Sequence, residues 1–196
     1  MWDGVARHTA NDSDPASEAV APPAGLRYHL LAIGFALMGG ALGILGAFVA
    51  EARTSVPLLL AFVGAPIVEE TTKPIGVYLF FLRWPGFLRN QLYIAILVGL
   101  SGLCFGVIES VVYVTIYVAD PSRAFVVYRF TVTVLLHAVA SFTAGLGVNA
   151  GLIAWAQGEG PFPRRSRFAF GGAIALHAVY NTTAVVLSLT GVLDFD

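Results

Sequence analysis

The sequence has one cysteine and few charged residues. The cysteine, Cys104, lies in an apolar stretch, so the chain has neither a disulfide framework nor a cysteine-based zinc site. Charged residues make up 12% of the chain, whereas a typical soluble domain has about 25%. No basic patch with interleaved aromatic residues is present, which argues against a nucleic-acid partner. The charge content points to a chain surrounded by lipid.

Long apolar segments dominate the sequence, which is 57% hydrophobic with a mean hydropathy of +0.78. Five of them reach the length of about 20 residues that a membrane crossing requires. They cover residues 28–50, 56–82, 91–118, 125–156 and 168–192. We therefore predict an all-α, polytopic membrane helix bundle of about five transmembrane helices, with a buried polar cavity where the spans carry ionisable residues. The fourth segment is long for one crossing and is expected to tilt or break near Gly145 and Gly147.

The N-terminal segment, residues 1–27, is polar and is predicted to be a tail, and residues 28–196 the membrane domain. It is acidic and has no basic region ahead of the first apolar run, so no cleavable signal peptide is expected. With five crossings, seven arginines fall on one side: Arg7, Arg27, Arg83, Arg89, Arg164, Arg165 and Arg167. Three fall on the other: Arg53, Arg123 and Arg129. The positive-inside rule then predicts a multi-pass protein of the cell membrane with a cytoplasmic N-terminus and an external C-terminus.

Six ionisable residues lie inside the predicted spans, away from their ends. They are Glu69, Glu70, Lys73, Glu109, His137 and His177. A charged residue at the centre of a membrane helix costs about 2.5–3.5 kcal/mol, so these groups should meet in the bundle interior or face a water-filled cavity. Lys73 is one helical turn from both Glu69 and Glu70, and can pair with either. Pro74, which lacks an N–H, should bend the helix at this point.

Two chemistries suit this group of residues. In the first, Zn²⁺ or another divalent metal neutralises the excess acid, held by Glu109, His137 and His177, with an open site for water. In the second, a glutamate acts as general base without metal, and Asn181 and a histidine stabilise an oxyanion. Both lead to hydrolysis of an amide or ester in the membrane. The candidate catalytic residues are Glu69, Glu70, Glu109, His137, His177 and Asn181, with Lys73 in support.

Four motifs on successive spans resemble those of PrsW-type intramembrane proteases, a family related to the CAAX prenyl proteases and the CPBP (Abi) group. The motifs are EETTK (69–73), FGVIE (105–109), HAVASFTAGLG (137–147) and HAVYN (177–181). The resemblance implies that Glu69 activates water, that Glu70 orients or binds within the site, and that His177 and Asn181 position water and stabilise the oxyanion. Glu109 stands where the CAAX relatives carry a histidine, a role that His137 can supply from another helix.

The leading hypothesis is an endopeptidase of the lipid bilayer that cleaves membrane-protein or peptide substrates. A proton- or cation-coupled transporter is the alternative, because chains of glutamate and histidine also form proton relays. The odd number of spans and the absence of a repeated half argue against it. A catalytically silent scaffold is the third possibility.

Overall fold

The computed structural model describes residues 25–53, 60–86 and 90–190, and these parts contain helices and no strand. The helices are α1 (Leu26–Arg53), α2 (Ala65–Thr72), α3 (Ile75–Arg83), α4 (Gln91–Val112), α5 (Arg123–Tyr128), α6 (Val134–Gly145), α7 (Ala150–Ala156) and α8 (Arg164–Leu189). Three π-helical turns adjoin them: Leu60–Gly64, Tyr113–Tyr117 and Arg129–Thr133. The predicted all-α class is confirmed. Most of the predicted tail, residues 1–24, lies outside the described residues.

Four helical stretches of the described residues are long and apolar enough to cross a membrane. They are Leu26–Val49, Gln91–Tyr117, Arg123–Gly145 and Arg164–Leu189. They correspond to the first, third, fourth and fifth predicted spans. The described part of the second predicted span, residues 60–82, is mostly helical too, but it is divided into the π-helical turn at residues 60–64, then α2 and α3. The chain is therefore a multi-pass membrane protein, and the second of its five predicted spans is interrupted.

The division between α2 and α3 occurs at Pro74, as the sequence predicts. Pro74 has no N–H to donate to the preceding turn, so α2 ends at Thr72 and Pro74 caps the start of α3. The hydroxyl of Ser101 on α4 donates a hydrogen bond of 2.5 Å to the backbone carbonyl of Lys73 at this interruption. The break is thus held in place by the neighbouring helix.

The fourth predicted span breaks after Gly145, also as predicted. The side chain of Asn149 accepts a hydrogen bond from the backbone N–H of Leu152 and caps α7. One boundary differs from the prediction: the fifth segment was predicted to begin at residue 168, whereas α8 begins four residues earlier, behind Pro163. The extended backbone of Pro163 starts the helix there, and the buried Ser166 donates to the carbonyl of Gly147 at 2.6 Å.

The long helices form a ring. Helix α4 packs against α1 on one side and α6 on the other, α6 packs against α8, and α2 contacts both α8 and α1. Gly99, Gly102 and Gly106 on α4 face α6 and allow it to approach closely. A methyl group on Gly102 would collide with the backbone carbonyl of His137 and the side chain of Ser141 on α6. The ring places α2, with its two glutamates, beside α8.

Candidate active site

The last turn of α2 carries three buried ionisable side chains. Glu69 is 4% exposed, and Glu70 and Lys73 are fully buried. The Nζ atom of Lys73 lies 2.7 Å from Glu70 Oε1 and 3.2 Å from Glu69 Oε2. It also lies 4.1 Å from the centre of the Phe105 ring, at cation–π distance. The helical spacing noted in the sequence therefore produces contacts of one ammonium with two carboxylates.

Glu70 is saturated with hydrogen bonds from three other residues. Its Oε1 atom accepts from Lys73 at 2.7 Å and from Nδ1 of His177 at 2.9 Å, and its Oε2 atom accepts from the Ser141 hydroxyl at 3.1 Å. Because an ionised carboxylate only accepts, His177 must carry a proton on Nδ1. In the neutral ring, Nε2 is then an acceptor, and it lies 3.8 Å from Glu69 Oε2.

His137 has a similarly fixed tautomer. Its Nδ1 atom lies 2.9 Å from Lys73 Nζ, and an ammonium only donates, so Nδ1 is the acceptor. The proton is therefore on Nε2, which donates to Glu109 Oε2 at 2.9 Å. The rings of His137 and His177 meet edge to face, with centroids 4.9 Å apart. Each ring thus has an unprotonated nitrogen that faces Glu69. Its other nitrogen is bonded to a carboxylate, that of Glu109 for His137 and that of Glu70 for His177.

Glu69 differs from Glu70 in its hydrogen bonding. Its Oε2 atom is buried, and no donor among the described residues reaches it in hydrogen-bond geometry. Lys73 lies at ion-pair distance, 3.2 Å, but outside that geometry. The unprotonated nitrogens of His137 and His177 each lie 3.8 Å from the same oxygen. One carboxylate oxygen is therefore left with capacity to bind a further group.

The group of donor atoms that lie together differs from the predicted metal set. Ligand atoms of Glu69, Glu70, His137 and His177 all fall within 4.8 Å of one another. Glu109, which the sequence placed in the set, meets His137 through Nε2, the ring nitrogen on the far side from Glu69. The position of Glu109 on α4 accounts for this difference, because it approaches His137 from behind. Two carboxylates and two imidazoles are a donor set suited to a divalent metal such as Zn²⁺.

A cavity of about 710 Å³ borders this cluster. Glu69, Glu109 and His137 line it, and Asn181, one turn after His177 on α8, lines it too. The remaining wall is mainly aromatic and aliphatic, and includes Phe48, Phe105, Tyr113, Tyr117, Phe125, Tyr128, Tyr180 and Val185. Its volume lies within the range of about 300–1,000 Å³ that is usual for ligand pockets. The structure thus places Glu69, Glu109, His137 and Asn181 on this cavity, and Lys73 and His177 in contact with Glu69. Glu70 lies behind them, bonded to Lys73 and His177.

Arg129 is the member of this region that the sequence reasoning missed. It was counted with the arginines of the external side, near the start of the fourth span, whereas it is buried at 9% exposure and its Nη2 donates to Glu109 Oε2 at 2.8 Å. Its guanidinium lies 3.8 Å from the centre of the Tyr113 ring. A signal was available, since Arg129 falls inside the fourth apolar segment. With Arg129, three carboxylates face two permanent cations rather than one, so the excess of acid is smaller than the sequence suggested.

Comparison with known protein families gives one match. The family described as PrsW family intramembrane metalloprotease matches residues 23–194. No significant match to a curated protein or to a solved structure was found. The matched range contains the whole cluster and the cavity beside it.

Proposed function

The chain belongs to the PrsW family of intramembrane metalloproteases, and on this premise we propose that it is an endopeptidase that hydrolyses peptide bonds of membrane-protein substrates. The family match does not favour the transporter alternative. We further propose that the protein resides in the cell membrane with a cytoplasmic N-terminus and an external C-terminus, in keeping with the distribution of arginines.

The observation that carries the proposal is the difference between the two adjacent glutamates. Glu70 has its acceptors occupied by Lys73, His177 and Ser141. Glu69 Oε2 has no hydrogen-bond donor, and Glu69 lines the cavity. A general base must be able to reach the proton that it removes, within about 2.6–3.2 Å or through one water. Glu69 suits this requirement, because it has an unoccupied acceptor and lines the cavity, whereas the acceptors of Glu70 are occupied.

The reaction then follows from the roles of these side chains. Glu69 accepts a proton from water while the water oxygen adds to the scissile carbonyl carbon. Asn181, whose position on the cavity wall suits a donor, stabilises the resulting oxyanion. The proton passes from Glu69 to the amide nitrogen, the C–N bond breaks, and the products are a new carboxyl end and a new amino end. These roles of Glu69 and Asn181 are the ones that the resemblance of the motifs implies.

The residues also fit a metal. His137 Nδ1, His177 Nε2 and a carboxylate of the Glu69–Glu70 pair would hold Zn²⁺, with Glu109 and Glu70 orienting the two rings through their opposite nitrogens. A bound Zn²⁺ would supply Lewis-acid activation of water and of the carbonyl. Lys73 contacts Glu69, Glu70 and His137, so its ammonium and a metal would draw on the same donors.

The experiment is cleavage-site mapping after reconstitution into liposomes with a mixture of single-span membrane proteins. New amino ends are identified by mass spectrometry, with His177→Ala protein purified in parallel as the control for contaminating proteases. We expect new ends within or beside the membrane segments for the wild type alone. If no such ends appear, and protons or cations pass through the wild type but not through Glu69→Gln protein, the protein is a transporter and not a protease. If neither proteolysis nor flux is observed, the result supports the third hypothesis, a catalytically silent scaffold.

A further inference from the structure

Arg129 has hydrogen-bonding capacity beyond its ion pair. Its Nη2 donates to Glu109, but its Nε is buried and has no hydrogen-bond partner among the described residues. A buried donor without a partner has lost its hydrogen bond to water without a replacement, and a ligand that supplies an acceptor would restore that bond. Arg129 lines the cavity that also contains Glu69. The unpaired donor and the cavity are two separate observations, and both point to a ligand at Arg129.

The surroundings of Arg129 hold its guanidinium in place. Its planar group lies over the ring of Tyr113, at 3.8 Å from the ring centre, and Glu109 fixes one edge. The hydroxyl of Ser110 donates to the backbone carbonyl of Arg129 at 2.9 Å. Tyr113 and Arg129 each begin a π-helical turn, a local widening of the helix that is frequent at functional sites.

The charge balance indicates what kind of ligand fits. Glu109 neutralises Arg129 at 2.8 Å, so the pair offers a hydrogen-bond donor without an excess positive charge. A carboxylate or phosphate ligand would meet the negative charge of Glu109, whereas a neutral carbonyl oxygen would not. The apolar and aromatic wall of the cavity likewise favours an uncharged ligand.

We propose that Arg129 binds a backbone carbonyl of the substrate, at a position where the substrate helix has unwound. In a membrane helix every carbonyl is bonded within the helix. A segment must open before a base can reach its peptide bond, and opening leaves carbonyls that need donors in a site with little water. Arg129 supplies such a donor on the wall of the cavity that Glu69 also lines. This inference rests on the proposed proteolytic function, because that function is what brings an unwound peptide into the cavity.

Binding can be measured without cleavage, in Glu69→Gln protein in detergent. The probes are two fluorescein-labelled 20-residue peptides rich in leucine and alanine, one with a central Gly-Pro pair that opens the helix and one without. We expect the opened peptide to bind more tightly, and Arg129→Lys to weaken its binding about tenfold or more, since the charge and the Glu109 contact remain while Nε is lost. Arg123→Lys is the matched control, at an exposed position of α5, and should bind as the parent does.

A second measurement changes the peptide and compares its binding to the same two protein variants. Replacing backbone amides of the opened peptide by esters, one at a time, weakens the preceding carbonyl as an acceptor. At one position, the ester should weaken binding of the peptide to the Glu69→Gln parent. The same ester should not weaken binding further when the protein also carries Arg129→Lys. Equal loss in both backgrounds, or equal binding of the opened peptide with and without Arg129→Lys, would overturn the proposal. So would displacement of the peptide by phospholipid in an Arg129-dependent manner, because the carbonyl would then be that of a lipid ester.

The experiments distinguish a failure of the proposed proteolytic function from a failure of the proposed role of Arg129. If the Glu69→Gln parent binds the opened peptide through Arg129 but the wild type cleaves nothing, the protease is wrong and Arg129 remains a peptide-binding residue. If the wild type cleaves substrates and Arg129→Lys leaves peptide binding unchanged, only the role of Arg129 is wrong.

Discussion

Glu109 on α4 and Arg129 at the entry to α6 form an ion pair inside the helix bundle, with Oε2 and Nη2 2.8 Å apart. The same Oε2 atom accepts from Nε2 of His137 at 2.9 Å. The pair therefore connects a buried cation to the ring that faces Glu69. An orienting carboxylate behind a histidine fixes both its tautomer and its angle, so a change at Glu109 reaches the site through His137.

Removing one partner of this pair should be costly. Glu109→Ala leaves the Arg129 guanidinium buried without its counter-charge, and we expect a loss of about 3–5 kcal/mol of stability. The double variant Glu109→Gln, Arg129→Gln replaces the ions with neutral groups and should recover most of the loss. Thermal unfolding in detergent measures both, with the exposed Glu159→Ala as the control. Equal midpoints for wild type and Glu109→Ala would show that the pair does not stabilise the bundle.

Lys73 should determine how strongly stability depends on metal. Lys73→Met removes the ammonium from between Glu69, Glu70 and His137, so buried negative charge is left uncompensated. In the presence of a chelator we expect this variant to unfold at a much lower temperature than wild type and to lose activity. Added Zn²⁺ should raise its midpoint by more than it raises the wild-type midpoint. A variant whose midpoint does not respond to Zn²⁺ would count against a metal at these donors.

Gly102 tests the close approach of α4 to α6. Gly102→Ala places a methyl group against the His137 carbonyl and the Ser141 side chain, and overpacking of this kind costs about 1–3 kcal/mol. Because His137 is a site residue and Ser141 donates to Glu70, activity should fall with stability. Gly34→Ala is the matched control, since nothing lies within 4 Å of its added methyl group, and it should be about 0.5–1 kcal/mol more stable. Tolerance of Gly102→Ala would contradict the helix packing described above.

The sequence predicted the parts of this structure that depend on local pattern. Apolar segments of membrane length, the interruption at Pro74 and the break after Gly145 all follow from the residues at those positions. The clustering of Glu69, Glu70, His137 and His177 could be expected from the cost of burying each charge alone. The tautomers of the two histidines could not, because they depend on which helix approaches each ring.

The burial of Arg129 could not be predicted from the sequence. An arginine near the end of an apolar segment is equally compatible with a loop and with the bundle interior, and only the packing of α4 against the chain before α6 decides between them. Glu109 was assigned to the metal for the same reason, since its spacing in the sequence does not reveal that it contacts His137 from behind. The predicted roles of the site residues remain predictions that activity measurements must test.

Membrane orientation can be tested with reporters. Arg129 lies within the bundle, so two arginines, Arg53 and Arg123, remain on the predicted external side against seven on the cytoplasmic side. A reporter that is active only in the cytoplasm should be silent when fused after residue 196 and active when fused after Gly160, between α7 and α8. The opposite pattern would show that the orientation is the reverse of the predicted one.

The rate of peptide-bond hydrolysis by Glu69→Gln protein is the most direct test of the central claim, that Glu69 is the general base. Glutamine keeps the shape of the side chain and cannot accept the proton, so we expect the rate to fall by about 10²–10⁴-fold at an unchanged unfolding midpoint. The exposed Glu159→Gln should retain the wild-type rate. A folded Glu69→Gln protein that hydrolyses substrate as fast as the wild type would contradict the account.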